Sequence, residues 1–288
     1  MIPAEFKYAA PKTIPEALAL LQSNHEAKIL SGGHSLIPLM KFRLAAPALL
    51  VDINGIPGLE YIREESGWLR IGALVPEADL EDSALVRSKY PLLYDTTRSI
   101  ADPLVRNRAT LAGNLAHADP ANDHPATMLA YRAEVVATGT KGTRTVPIDQ
   151  FFTGLFATAL ASDEILTEVR IPVPPAKSGG AYVKLERKVG DFATAGVAVQ
   201  LNLGTDGTVQ QIGMGLTNVG ATAIRAARSE QVLRGKKPDE KMIAQAGQFA
   251  QEDCQPSADL RGSEDYKRNM VRVLTMRAIN KALERARG

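Results

Sequence analysis

The sequence predicts an α+β fold, mixed α/β in character, on three observations. A helix, a strand, a double-glycine loop, a helix and a strand follow one another in the first 53 residues; alternating apolar hairpins fill the middle; and prolines followed by Ser-Gly-Gly precede a second region of sheet and helix. The domains are accordingly expected at residues 1–176, in two halves of about 1–56 and 57–176, and at 177–288.

Thr13 and Glu16 form a Thr-x-x-Glu capping box, and Ile14, Ala17, Leu18 and Leu21 fall on one helical face, which predicts a half-buried first helix. Ala27 to Leu30 reads as a strand, and Leu36 to Phe42 as a short helix whose first turn tolerates Pro38. "ALLVDI" at 48–53 makes a second buried strand. "LEYIREESGWLRIGAL" at 59–74 alternates about Ser66-Gly67 and predicts a hairpin in which Trp68 packs. "EVVATGTKGTRTVP" at 134–147 repeats the pattern, and "EILTEVRIPVP" at 164–174 adds a strand ended by prolines. "PVPPAKSGGA" reads as the clearest linker in the chain. Beyond it, "AGVAVQLNL", "GTDGTVQQIGMGL" and the helical patterns of 239–252 and 264–286 predict a small antiparallel sheet backed by helices. The last helix is amphipathic and basic, with Met270, Leu274 and Ala278 on one stripe and Met276, Ile279 and Leu283 on another; without interfacial Trp or Phe it is expected to pack within its domain.

Composition narrows the chemistry. A net charge of +2 with interspersed signs offers no footprint for nucleic acid. Cys254 stands alone among 288 residues, so no internal disulfide and no cysteine-ligated cluster can be built from this chain. The N-terminus lacks a basic head before an apolar core, and no apolar run approaches a membrane span; a cytoplasmic protein is expected.

Two stretches carry chemistry. "SGGHS" at 31–35 follows a strand directly. Its glycines permit either an anion cradle of inward-turned amides or an ordinary tight turn. "RNRATLAGNLAHADPANDHP" at 106–125 has little apolar periodicity and is expected to be an extended or looped segment, with Thr110, Gly113 and Asn114 offering a hydroxyl, a close backbone approach and an amide. Asp119 and Asp123 suit a sugar hydroxyl or a turn equally well. His34, His117 and His124 lack the i, i+4 spacing of a helical metal site, Ser35 lacks the second glycine of a nucleophile elbow, and both the dinucleotide Gly-x-Gly-x-x-Gly and the Walker A pattern are missing.

"SGGHSLIPLMKFRL" followed by "TLAGNLAHADPANDHP" resembles the FAD-binding medium subunit of molybdenum hydroxylases, the xanthine dehydrogenase and carbon monoxide dehydrogenase group. "YVKLERKVGDFATAGVAV" and "GLTNVGATAIRA" are similar to that subunit's C-terminal domain, so the resemblance covers essentially the whole chain. It implies a two-subdomain FAD-binding domain followed by a small antiparallel sheet with a helical bundle. It also implies non-covalent FAD, its diphosphate held between two loops: Ser31, Gly32, Gly33, His34 and Ser35 in the first, Thr110, Leu111, Ala112, Gly113 and Asn114 in the second. Asp123 matches the family aspartate that binds the cofactor. Lys28 and Lys184 are further candidates, Lys184 near the flavin pyrimidine edge or else a solvated surface lysine. Leu166 would wall the cofactor or belong to the core, and Phe192 would cover the flavin or pack internally. The chain departs from the family in having Ala112 where a second glycine is common, and Phe192 where carbon monoxide dehydrogenase members often carry tyrosine.

The resemblance further implies a small [2Fe-2S] subunit and a large molybdopterin subunit as partners, assembled as a dimer of heterotrimers, with electrons passing through FAD to an external acceptor. The lone cysteine agrees with that division of labour. Three alternatives stay open: an autonomous flavin oxidase, the flavoprotein subunit of an N-heterocycle or aldehyde hydroxylase, and an interaction module that has lost FAD.

Overall fold

The computed structural model, which describes residues 1–288, contains sheets of three, five and four strands with helices packed against them. Lys7–Ala9, Leu49–Asp52 and Ala27–Leu30 lie side by side in that order as a parallel sheet. Helix Ile14–Ser23 starts where Thr13 Oγ1 accepts the Glu16 N–H (3.3 Å), while the Glu16 carboxylate takes the Lys12 N–H (2.8 Å), a capping box displaced by one residue. Its buried Ala17, Leu18 and Leu21 join Leu49, Val51 and Ile53 in one apolar cluster.

The second sheet is antiparallel, in the order Ile62–Glu65, Trp68–Gly72, Glu164–Pro172, Glu134–Gly139, Gly142–Pro147. Helices Pro91–Arg98 and His124–Tyr131 pack with it around Tyr90, Leu93, Met128, Val135 and Val169. The third sheet runs Ser178–Leu185, Ala195–Leu203, Val209–Thr217, Ile224–Arg225. Helices Glu240–Asp253 and Glu264–Arg287 cover one face, with Leu274, Ala278, Ile279 and Leu283 buried and Met270 and Met276 partly so, as the two apolar stripes predict. The other face turns toward the preceding core, which Tyr182 and Ala198 enter. Asp95 clamps the outer strand of that sheet, taking Lys281 Nζ at 2.9 Å and Arg285 at 2.7 and 3.0 Å, while the same arginine reaches the Gly180 carbonyl.

Two expectations are corrected. Residues 106–125 are not one extended or looped segment: helix Leu111–His117 lies within them and helix His124–Tyr131 begins there. Thr110 caps the first by accepting the Gly113 N–H (3.0 Å), and Leu111, Ala112 and Leu115 supply a buried face too short to register as periodicity. Ser178-Gly179-Gly180 is not loose linker but the start of a strand. A Cβ at Gly179 would meet the Ala282 carbonyl oxygen at 2.0 Å, so this glycine lets the last helix and the strand touch, while one at Gly180 would meet the Gln200 and Leu92 side chains. No helix is long and apolar enough to cross a membrane.

Candidate functional site

The first loop leaves strand Ala27–Leu30 and is held by the exit of the neighbouring strand. Asn54 Nδ2 donates to the Ser31 carbonyl (3.0 Å) and to Asp52 Oδ1 (2.7 Å). Gly33 sits at φ +77°, a left-handed conformation that side chains rarely adopt, and passes the chain into helix Leu36–Lys41 with Ser35 at its N-cap. A Cβ on Gly32 would lie 2.1 Å from the Arg108 carbonyl oxygen and 2.8 Å from Ala109 Cα, whereas one on Gly33 would strike the Ile37 side chain at 2.7 Å. The glycine pair therefore serves two purposes. Gly32 lets two chain segments touch backbone to backbone, and Gly33 makes the turn; a methyl added to either would meet protein atoms. His34 is exposed, with Nδ1 2.9 Å from the Gly32 carbonyl.

The segment that Gly32 admits is the second one. Ser31 Oγ lies 3.2 Å from Thr110 Oγ1, so the hydroxyls of the two loops meet across 79 positions of sequence. Ala112, the departure from the family pattern, has its methyl buried in the core of a regular helix, where it disturbs no loop geometry. Asn114 accepts from Asn122 Nδ2 through its main-chain carbonyl (2.9 Å), yet its side-chain Oδ1 is buried with no partner. A buried acceptor left unbonded is costly, and a ligand hydroxyl would satisfy it.

Asp123, at the start of helix His124–Tyr131, is 6% exposed. Its carboxylate accepts from Tyr182 Oη (2.5 Å) and Lys184 Nζ (2.9 Å). Burial pushes the Asp123 carboxyl up from its ordinary value, against the opposing pull of Lys184 and Tyr182, and burial with the adjacent Asp123 charge pushes Tyr182 far up, so the phenol keeps its proton. Lys184 is no solvated surface lysine: its side chain is 5% exposed, it also donates to the Ser99 carbonyl (2.9 Å) and it lies 3.4 Å from Glu186. The Ser99 loop next to it holds Ala101 at φ +45°.

Three candidates stand apart from this network. Lys28 is exposed on its strand with no side-chain partner; Leu166 is buried in the core opposite Ala137, beside a bulge; Phe192 is 48% exposed, with the Arg261 guanidinium 5.7 Å from its ring, so it is not a core phenylalanine. Next to Phe192, Arg261 and then Arg187 hold the Asp191 carboxyl down at about 2. Sequence reasoning missed one buried pair altogether. Glu77 and His124 are both fully buried, with His124 Nε2 2.8 and 2.9 Å from the two Glu77 oxygens. His124, weighed as a metal ligand, is committed to that carboxylate, and no local spacing signals a partner 47 positions away. A partly open cleft of about 100 Å³ lies elsewhere, lined by Arg132, Pro174, Gln200 and Asn202 among others.

Comparison with known proteins agrees with this architecture over the full chain. Residues 4–174 match the family described as FAD binding domain in molybdopterin dehydrogenase, and residues 180–282 match the CO dehydrogenase flavoprotein C-terminal domain. The carbon monoxide dehydrogenase medium chain of Hydrogenophaga pseudoflava is 46% identical over 286 residues, covering 99% of each chain. That of Afipia carboxidovorans is 41% identical over 288 residues, covering 100% of each. A solved structure of carbon monoxide dehydrogenase from Hydrogenophaga pseudoflava superposes with a TM-score of 0.97 at 48% identity, over 99% of both chains.

Proposed function

We propose, because this chain belongs to the FAD-binding flavoprotein family of the molybdopterin dehydrogenases, that it is the electron-relaying subunit of a molybdenum and iron–sulfur dehydrogenase of the carbon monoxide dehydrogenase type. The observation that carries this reading is the convergence of Ser31–Ser35 with Thr110–Asn114, joined where Ser31 Oγ meets Thr110 Oγ1 at 3.2 Å. The residues present fit a non-covalent FAD. Asn114 Oδ1 is a buried acceptor with nothing from the protein to accept, which suits the hydroxyl-bearing part of a dinucleotide, and two loops with serine and threonine hydroxyls flank it.

When bound, FAD supplies a centre that accepts and returns electrons. The chain's part is to hold it. Ser31, Gly32, Gly33, His34 and Ser35, together with Thr110, Leu111, Ala112, Gly113 and Asn114, are assigned to the diphosphate and sugar portion. Each hydrogen bond to a charged phosphate contributes about 1.5 to 3 kcal/mol, enough in number to retain FAD without a covalent link. Asp123 fixes Lys184 in an ion pair of 2.9 Å, and Lys184 is assigned to the flavin's pyrimidine edge, where it would face the ring. Exposed Phe192 is assigned to cover the ring, Leu166 to wall it, and Lys28 to the rim of the first loop. Residues 1–176 act as the cofactor-binding unit and 177–288 as its C-terminal companion.

The buried lone Cys254 leaves no cluster ligands here, so electrons come from a small [2Fe-2S] subunit, fed by a large molybdopterin subunit in a cytoplasmic dimer of heterotrimers, and leave to an external acceptor. The large subunit selects the substrate. In the test, the purified chain is expected to show a flavin spectrum that carbon monoxide does not bleach until both partner subunits are added. Rapid bleaching by substrate of the isolated chain would overturn the relay and promote an autonomous oxidase; a colourless chain that cannot be loaded with FAD would overturn both.

A further inference from the structure

Glu77 and His124 have zero exposure, and the ring Nε2 faces both carboxylate oxygens at 2.8 and 2.9 Å. Each partner is also attached to one side of the candidate cofactor site. The Glu77 N–H donates to the Ala109 carbonyl (2.8 Å), Pro76 pairs with Thr110 across an isolated antiparallel bridge, and Thr110 carries the hydroxyl that meets Ser31. His124 follows Asp123 directly, and Asp123 holds Tyr182 and Lys184. The side-chain bond thus ties the Thr110 segment to the Asp123 segment.

A merely stabilising role explains this pair poorly. Well-packed apolar residues of similar volume usually stabilise as much as a buried charged pair or more. His124 Nδ1 is buried without any partner, which a design for stability alone would avoid. What a carboxylate–imidazole pair offers beyond apolar packing is a bond of defined direction and a charge that can be felt one residue away.

We infer that Glu77 and His124 are a positioning pair for FAD, with Glu77 acting through His124 to hold Asp123 and the Thr110 loop at a fixed separation. The inference rests on the reading that FAD lies between those segments. The test uses the full chain stripped of flavin. FAD affinity is measured by quenching of its fluorescence, beside thermal unfolding of the apoprotein, for wild type, Glu77→Gln, His124→Gln and the double variant. Glu77→Gln keeps an acceptor for the imidazole while removing the charge. Both single variants are expected to fold and to bind FAD at least tenfold more weakly, and the double variant no more weakly than the worse single one, because both act through one link. A folded single variant within twofold of wild type would overturn the inference. If neither variant folds, the wild type decides: among its four histidines, labelled with ¹⁵N and assigned by His25→Gln, His34→Gln and His117→Gln, the His124 ring signal is expected to move on FAD addition. An unmoved signal would overturn the inference. Wild-type chain that binds no FAD would overturn the cofactor reading along with it, whereas normal wild-type binding with unaffected variants removes only the pairing.

Discussion

Replacing Asp123 by asparagine keeps the shape of the side chain and removes its charge, which isolates what the buried carboxylate does for Lys184. The ammonium side chain is 5% exposed and 2.9 Å from Asp123 Oδ2. Removing one member of a buried ion pair costs about 3 to 5 kcal/mol, because the remaining charge stays desolvated. Lys184 keeps the Ser99 carbonyl at 2.9 Å and Glu186 at 3.4 Å, and Glu186 is itself 24% exposed, so the lower end of that range applies, about 3 kcal/mol for Asp123→Asn. Asp123→Ala also deprives the buried Tyr182 hydroxyl of its acceptor and is expected to cost about 1 to 3 kcal/mol more. Urea unfolding of the apoprotein reads both, and the double variant Asp123→Asn/Lys184→Met should lose less than the sum of its singles by more than about 1 kcal/mol. An apo Asp123→Asn chain within about 1 kcal/mol of wild type would refute the claim that the carboxylate neutralises Lys184. FAD titration of the folded variant then separates roles: a further loss of about 1 to 3 kcal/mol in binding is expected if Asp123 also serves the cofactor, and none if it is structural alone.

Gly32→Ala places a methyl 2.1 Å from the Arg108 carbonyl oxygen, where backbone on both sides must yield; about 1 to 3 kcal/mol of destabilisation and weaker FAD binding are expected, and a variant as stable as wild type with unchanged FAD affinity would remove the loop-contact argument. Gly33→Val is a poorer test of a ligand, since its side chain would meet Ile37 and a strained φ before any cofactor. Asp191, held at about 2 by Arg261 and then Arg187, lies below the ordinary carboxylate value of about 3.9, so its contribution is present above that value and lost as pH falls through the folded one. The stability difference between wild type and Asp191→Asn should therefore be flat above about pH 5, of the order of 1 kcal/mol after solvent screening, and shrink toward pH 2; a difference that persists unchanged there would contradict the assignment. Cys254 is 2% exposed and burial pushes its thiol up to about 12, so an aromatic disulfide reagent at pH 8 should label it only after urea unfolds the chain, and prompt labelling of the native protein would show the C-terminal core to be open.

Much of the order of strands and helices was legible because local rules govern it, although strand Lys7–Ala9 and the short helices Glu77–Asp82, Ala84–Lys89, Pro91–Arg98 and Pro103–Arg106 carry no prediction. Thr13 announces a helix start, Ser66-Gly67 a hairpin, and the alternation of 195–203 a strand, each within a few residues. The two motif-bearing stretches were legible as well, since their residue types and spacing carry the family resemblance without any coordinates. What the sequence could not say is what touches what. Helix Leu111–His117 is not legible in the sequence because seven residues offer too few turns for periodicity to show, and its cap becomes visible only once Thr110 faces the Gly113 amide. Gly179 sits in a stretch whose composition predicts a linker, yet it packs tightly against Ala282, a contact made between positions more than a hundred residues apart. The same holds for Gly32 against Arg108, Asp123 with Tyr182 and Lys184, and Glu77 with His124. Each depends on tertiary packing bringing together groups whose separation along the chain carries no local signature, while burial sets the cost of leaving any of them unpartnered.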